Sequence, residues 1–259
     1  MKKRILQISA AFCFLVAAAC LVLLLLSRGS AKQAREDFSS LALVVKENPS
    51  STSSSAFSQA EGETAVLPQY RALAEQNPDM IGWIQIPGTE IDYPVMYTPG
   101  DPDYYLDHNF QKEYSPSGTP FLGGECSWEP SSDNLMIFGH NMYAGHDMFT
   151  DLLFYKDRSF FEENPVFRFD TLLEQQEFRV VAAFYSKVYQ KTDDVFKFYQ
   201  FIDAESREDF DAYLENVRAL SLYDTGTAAE YGDQLVTLVT CSLHENQGRF
   251  VVVAVKQQP

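Results

Sequence analysis

Two β-rich runs near the C-terminus, Gln234 to Thr240 running on into Cys241 and Arg249 to Val255, carry the residues best suited to chemistry. Strand alternation places Leu235, Thr237, Val239 and Cys241 on one face of the first run. It places Arg249, Val251, Val253 and Val255 on one face of the second. An antiparallel register that pairs Cys241 with Arg249 also pairs Val239 with Val251 and Leu235 with Val255. The pattern therefore predicts a thiol and a guanidinium side by side at the mouth of a sheet. A cysteine there is a candidate nucleophile once a histidine reaches it. The same residues also suit a small buried Cys and a solvated strand-end Arg, so spacing alone leaves both readings open.

Four histidines are available. His140 follows the strand-like run Asn134 to Phe138 through Gly139, and a strand end is a rigid place to hold a catalytic group. His146 lies six residues further on in a loop. His244 sits in the loop between Cys241 and Arg249, and His108 reads as a hydrogen-bonded structural residue. Spacing ranks His140 first by a narrow margin. A convergence of His140, His146, Cys241 and His244 on zinc is the rival chemistry. Their spacing fits no familiar zinc pattern, and Arg249 beside the site would oppose a cation. No metal or other cofactor is expected.

The elements that position these groups are short and mainly β. Ile81 to Gly88 alternates and breaks at Pro87-Gly88, and Ile91 to Tyr97 follows as a second strand. Asn134 to Phe138, Val166 to Asp170 and Gln176 to Ser186 complete the strand candidates. With no βαβ alternation, an antiparallel sandwich or barrel is favoured over a doubly wound sheet. Val66 to Gln76 has helical spacing and stops at Asn77-Pro78. Phe210, Tyr213, Leu214, Val217 and Leu220 predict a core-facing helix that starts at Ser206-Arg207-Glu208-Asp209.

The chain has 259 residues, 46% of them hydrophobic, and a formal net charge of −16. That is enough apolar surface for a core and sets aside wholesale disorder. An acidic chain also lacks the Lys/Arg face that nucleic-acid binding needs. Four cysteines, two of them in an apolar N-terminal run, exclude a disulfide-stapled scaffold and leave Cys126 to Cys241 as the one ordinary bridge outside that run. Met1-Lys2-Lys3-Arg4 precedes an uncharged stretch, Ile5 to Leu26, that spans about 33 Å as a helix, enough for a bilayer core of ~30 Å. Residues 1–28 are read as an uncleaved single-pass anchor, residues 29–65 as a flexible Ser-rich linker in which Ala31 to Val45 has the character of a short helix, and residues 66–259 as the folded unit. Basic residues lie on both sides of the span, so charge alone does not fix its orientation.

Taken together, the residues resemble a known family. Thr237 to Cys241, TLVTC, matches the TLxTC signature of sortases. Gly139-His140-Asn141 matches their catalytic His region, and Gly248 to Val253 matches the strand carrying their Arg. The stretch DYYLDHNFQKEYSPSGTPFL, the helix-containing insertion before TLVTC and the helical lead-in look most like class B sortases. Val239 stands where many class B members have Ser, and Leu243 where some have an acid; the departures bear on substrate preference and on any acidic helper.

The resemblance implies an α+β fold: a closed barrel of about eight strands, with an N-terminal helical lead-in and a helix inserted before the Cys strand. It implies Cys241 as the nucleophile that carries an acyl thioester and His140 as general acid and base. Arg249 would stabilise the substrate carbonyl and oxyanion, and Thr240 would contact substrate. With reference pKa values of ~8.5 for Cys and ~6.5 for His, the thiolate–imidazolium pair is only about 1% as populated as the neutral pair. The implied activity is a cysteine transpeptidase, anchored in the cell membrane with its catalytic domain on the extracellular side. It would cleave a C-terminal sorting motif of NPxTx or LPxTx type after Thr. The acyl group would pass to an amine of a peptidoglycan precursor or a pilin, so the expected partners are surface proteins bearing a sorting signal. A tethered binding module without catalysis is the other class of function that an anchor, linker and β-barrel would suit.

Overall fold

The computed structural model describes residues 2–47, 65–142 and 147–258, with most side chains of residues 2–31 outside the description. In chain order the elements are α1 (Lys2–Glu47), α2 (Pro68–Gln76), β1 (Met80–Gln85), β2 (Asp92–Met96), β3 (Phe121–Leu122), β4 (Asn134–Phe138), β5 (Asn141–Met142) and β6 (Asp147–Met148). They continue as α3 (Arg158–Glu163), β7 (Val166–Thr171), β8 (Glu177–Lys187), α4 (Arg207–Leu220), β9 (Leu235–Cys241) and β10 (Gly248–Lys256). Eight strands close a barrel in the order β1-β2-β3-β4-β9-β10-β8-β7, and β5 and β6 form a separate hairpin.

The expected strands and the register of the last hairpin are present. Arg249 pairs with Cys241, Val251 with Val239 and Val255 with Leu235. The expected barrel is present and most of its pairs are antiparallel, but β2 pairs with β3 and β4 with β9 in parallel. Parallel neighbours need a long connection between them. The chain from β5 through α4 is that connection for β4 and β9, and its separation in sequence hides the pairing. Strand β3 is only two residues long within a Gly- and Pro-punctuated stretch, too short to show a period.

Barrel-facing and helix-covered positions are filled by aromatic and β-branched side chains, and β10 is buried on both faces along most of its length. Helix α4 packs over the outside with Phe210, Tyr213, Leu214 and Val217 buried. Leu220, expected on that stripe, is exposed at the last turn. The Ser206 side chain accepts from the Asp209 N–H at 3.2 Å, satisfying a helix-start donor as its sequence suggests. At its inner face the Tyr213 hydroxyl lies 3.2 Å from Thr237 Oγ1, which donates to Asn134 Oδ1 at 2.8 Å. All three residues are buried, so these bonds satisfy groups that water cannot reach.

Residues 29–47, within the span read as linker, form the C-terminal part of α1, which covers the Ala31 to Val45 stretch read as a short helix. Ala34, Phe38, Leu41 and Ala42 recur at helical spacing and are buried against the body. Phe38 meets Tyr93 of β2 edge-on, with ring centroids 5.1 Å apart. The remainder of the expected linker, residues 48–64, lies outside the described residues. Among the described residues no helix is long and apolar enough to cross a membrane. Ile5 to Leu26 runs within α1, but most of its side chains fall outside that description.

Candidate active site

Strand registers decide what surrounds Cys241. In the parallel pair β4–β9, Asn134 faces Leu235 and Phe138 faces Val239. The same offset carried past Phe138 brings Gly139 opposite Thr240 and His140 opposite Cys241. Hydrogen bonds continue the pairing beyond the strand. Gly139 N–H donates to Val239 O at 3.1 Å, and Thr240 Oγ1 donates to Gly139 O at 2.8 Å. On the other side β10 sets Arg249 opposite Cys241. Cys241 thus stands exposed at the end of β9 between the chain carrying His140 and the strand carrying Arg249.

These three residues open onto one cleft of about 470 Å³. Phe121, Met136, Phe138 and Val239 give it an apolar lining, to which Thr240, Asp103 and Glu125 add polar groups. A cleft with a mainly apolar lining and a few polar groups suits an extended peptide held by a small number of directional contacts.

His140 Nε2 lies 2.7 Å from Leu106 O. A carbonyl can only accept, so Nε2 carries the proton and Nδ1 is the nitrogen left to exchange one in the neutral ring. Arg249 Nη1 donates to Gln247 O at 3.2 Å and to Gly248 O at 3.0 Å, which holds the guanidinium beside the strand end. The Asn141 side chain was not singled out in the sequence. Its Nδ2 donates to Cys241 O at 2.8 Å and ties the His segment to the backbone of Cys241. Local period carries no sign of this contact, which spans a hundred positions, although Asn141 belongs to the matched Gly139-His140-Asn141 segment.

His108 and His244 are engaged with other partners. His108 stacks on Tyr104 at 4.1 Å and its Nδ1 lies 2.8 Å from Tyr104 O, a structural arrangement. His244 is held by Ser242 Oγ at 3.0 Å and Glu245 Oε1 at 3.2 Å. His146 lies outside the described residues. Among the described residues no three His, Cys, Asp or Glu side chains are grouped to hold a metal ion.

Cys126 also lines the cleft, yet it differs sharply from Cys241. Its side chain is buried, with Sγ donating to Asn134 O at 3.5 Å and accepting from Met136 N at 3.4 Å. Burial pushes its thiol up to about 11, so at neutral pH it stays protonated and inert. Both cysteines are free thiols.

A closed mixed barrel with an exposed cysteine at a strand mouth, flanked by a histidine and an arginine, defines the sortase class of cysteine transpeptidases. No family model matches the chain. It is 36% identical over 205 residues to Sortase B of Listeria monocytogenes, covering 78% of this chain and 78% of that protein. To Sortase B of Staphylococcus aureus it is 28% identical over 191 residues, covering 73% of this chain and 75% of the relative. Among solved structures, sortase B from Bacillus anthracis in complex with AAEK1 superposes with a TM-score of 0.74 at 27% identity, covering 89% of this chain and 99% of that one. The Staphylococcus aureus sortase B–substrate complex gives 0.74 at 25% identity, covering 88% and 97%. The chain belongs to the class B sortases and is a sortase-type cysteine transpeptidase.

Proposed function

We propose that this enzyme cleaves a C-terminal sorting motif of NPxTx or LPxTx type after Thr and transfers the acyl group to an amine of the cell wall or of another surface protein. One observation carries this reading: two independent strand registers bring His140 and Arg249 to opposite sides of the exposed Cys241. The Cys241 thiolate attacks the Thr carbonyl carbon, and the oxyanion that forms accepts hydrogen bonds from the Arg249 guanidinium. The C–N bond then breaks as His140 passes a proton to the departing amine, leaving a thioester on Cys241. Neutral His140 takes the proton of the incoming amine as it attacks. The C–S bond breaks and the thiolate returns. Thr240, bonded through its hydroxyl to Gly139 O, lines the same cleft next to Cys241 and would contact the substrate there.

Residues 1–28 act as the membrane anchor and residues 66–259 as the catalytic domain, on the extracellular side. The support for an anchor is the uncharged run Ile5 to Leu26 behind three basic residues, carried on one continuous helix. The later part of that helix packs against β2, so the anchor is joined to the catalytic domain by a docked helix.

The test is intact-mass spectrometry of the full chain in detergent, mixed with pooled NPxTx and LPxTx peptides, beside Cys241→Ala. A mass gain equal to the peptide cut after Thr, absent from the variant and removed by hydroxylamine, is the expected result. A folded protein with a free Cys241 thiol and no adduct with any peptide would overturn the reading.

A further inference from the structure

The segment that carries His140 continues directly into the β5–β6 hairpin, and this hairpin is gripped from two directions. On the active-site side, Asn141 Nδ2 donates to Cys241 O at 2.8 Å and Phe149 N–H donates to His140 O at 2.8 Å. Within the hairpin, Met142 N–H donates to Thr150 Oγ1 at 2.7 Å, which in turn donates to Asp147 O at 2.7 Å. Met148 sits at φ 57°, a left-handed conformation that a Met adopts only when its surroundings impose it.

On the far side stands α1. The Arg35 guanidinium pairs through Nε with Asp147 Oδ1, and Asp147 is only 3% exposed. A buried carboxylate that loses its cation is left uncompensated, so the two elements are held together by more than contact. The neighbouring contacts are consistent with a docked helix: Phe38 against Tyr93 and Lys46 Nζ at 3.4 Å from Asp92 Oδ2.

We infer that Arg35 and Asp147 are positioning residues for the transpeptidase reaction, through which the N-terminal helix fixes the hairpin that sets His140 against Cys241. The inference rests on the roles given above to His140 and Cys241. It makes α1 a working part of the catalytic unit, so that undocking the helix lowers turnover without removing any group that touches substrate. A displacement of the His segment on the order of 1 Å is enough to cost about a hundredfold in rate.

The experiment compares the full chain with Arg35→Ala and Arg35→Lys in detergent micelles, reading peptide kinetics and amide hydrogen exchange across 141–150. Arg35 lies on the helix surface, so its truncation leaves the core untouched. The expected result for Arg35→Ala is faster exchange at Met142 and Phe149, with kcat lowered about tenfold or more, KM for the peptide nearly unchanged, and recovery of most of the rate in Arg35→Lys. Unchanged exchange at those two amides would overturn the coupling whether or not the enzyme turns over. Faster exchange with wild-type kcat would overturn it as well. A wild type that accepts no peptide would overturn the transpeptidase roles assigned to Cys241 and His140, and with them the positioning inference, whereas the exchange comparison reports on the helix–hairpin contact by itself.

Discussion

Gly139 is the residue between strand β4 and His140, and replacing it with Ala tests how rigidly the His segment is held. A Cβ built there would lie 2.5 Å from Cγ of Phe149, 2.8 Å from Cδ2 and 2.9 Å from Cδ1. Ordinary carbon contacts are ~3.5 to 4.0 Å, so the ring or the His segment must move roughly 1 Å. Phe149 is fully buried, and its own amide is bonded to His140 O. The ring therefore has no free direction, and part of the displacement passes to His140. Overpacking of this kind costs about 1–3 kcal/mol, which for a domain of this size lowers Tm by about 2–12 °C. With His140 in the acid–base role proposed above, a 1 Å error there costs up to about a hundredfold in kcat. Thermal melts by circular dichroism and steady-state cleavage of a quenched sorting peptide measure the two effects. Phe149→Leu added to Gly139→Ala is expected to restore part of both losses, since neighbours that share a clash are not additive. Gly100→Ala, whose Cβ would meet nothing within 4 Å, is the control and should melt as wild type does. A Gly139→Ala enzyme with wild-type Tm and kcat would refute the claim that Phe149 is a fixed wall behind the histidine.

Arg249→Lys keeps the charge at the strand end but loses the planar fork, so kcat/KM should fall about 10²-fold or more; near-normal turnover would exclude a guanidinium-specific role. Cys126, with its thiol pushed up to about 11, exposes only about one part in a thousand as thiolate at pH 8. Peptide mapping after brief iodoacetamide treatment of native protein should find Cys241 modified and Cys126 intact, while Cys126→Ala keeps near-wild-type turnover; equal labelling of both would contradict the burial argument. Asp170 is fully buried, and burial raises its carboxyl above the ordinary range despite the Tyr70 hydroxyl at 2.5 Å and Arg168 at 3.3 Å. A carboxyl whose folded value is raised contributes stability that is complete below its unfolded value of ~3.9 and is lost as pH rises through the folded value. The Tm of Asp170→Asn relative to wild type should therefore climb between acid and neutral pH, and a difference that stays flat from about pH 3.5 to 6.5 would sink this assignment.

What could be read from the sequence is what rests on local period. Alternation in β9 and β10 is strict enough that the pairing of Cys241 with Arg249 follows from counting. The stripe of α4 follows in the same way, with Ser206 as its cap. Pairings between distant segments carry no such signal. The parallel neighbours β4 and β9 are each ordinary apolar runs, and neither shows which strand lies beside it. The same reason hid Asn141 and the Arg35–Asp147 pair, whose partners are a hundred or more residues away. The C-terminal part of α1 was undervalued for a different reason. Its apolar stripe is short and adjoins a Ser-rich run, so composition favoured a tether over a docked helix.

The placement of His140 is thus inherited from a register fixed at the opposite end of two strands. Asn134 at the start of β4 donates to Phe201 O at 2.9 Å and accepts from Thr237 in the middle of β9. Tyr213 of α4 closes the set from outside. A slip of one residue would break these buried bonds and turn each side chain of the strand to the other face. It would also bring Gly139 or Asn141 opposite Cys241 in place of His140. Buried polar groups cost stability relative to a well-packed apolar core, but here they give the register a single satisfied solution. The polar cluster beneath α4 therefore helps to specify which residue stands beside Cys241 at the barrel mouth, although none of its members bonds to that cysteine.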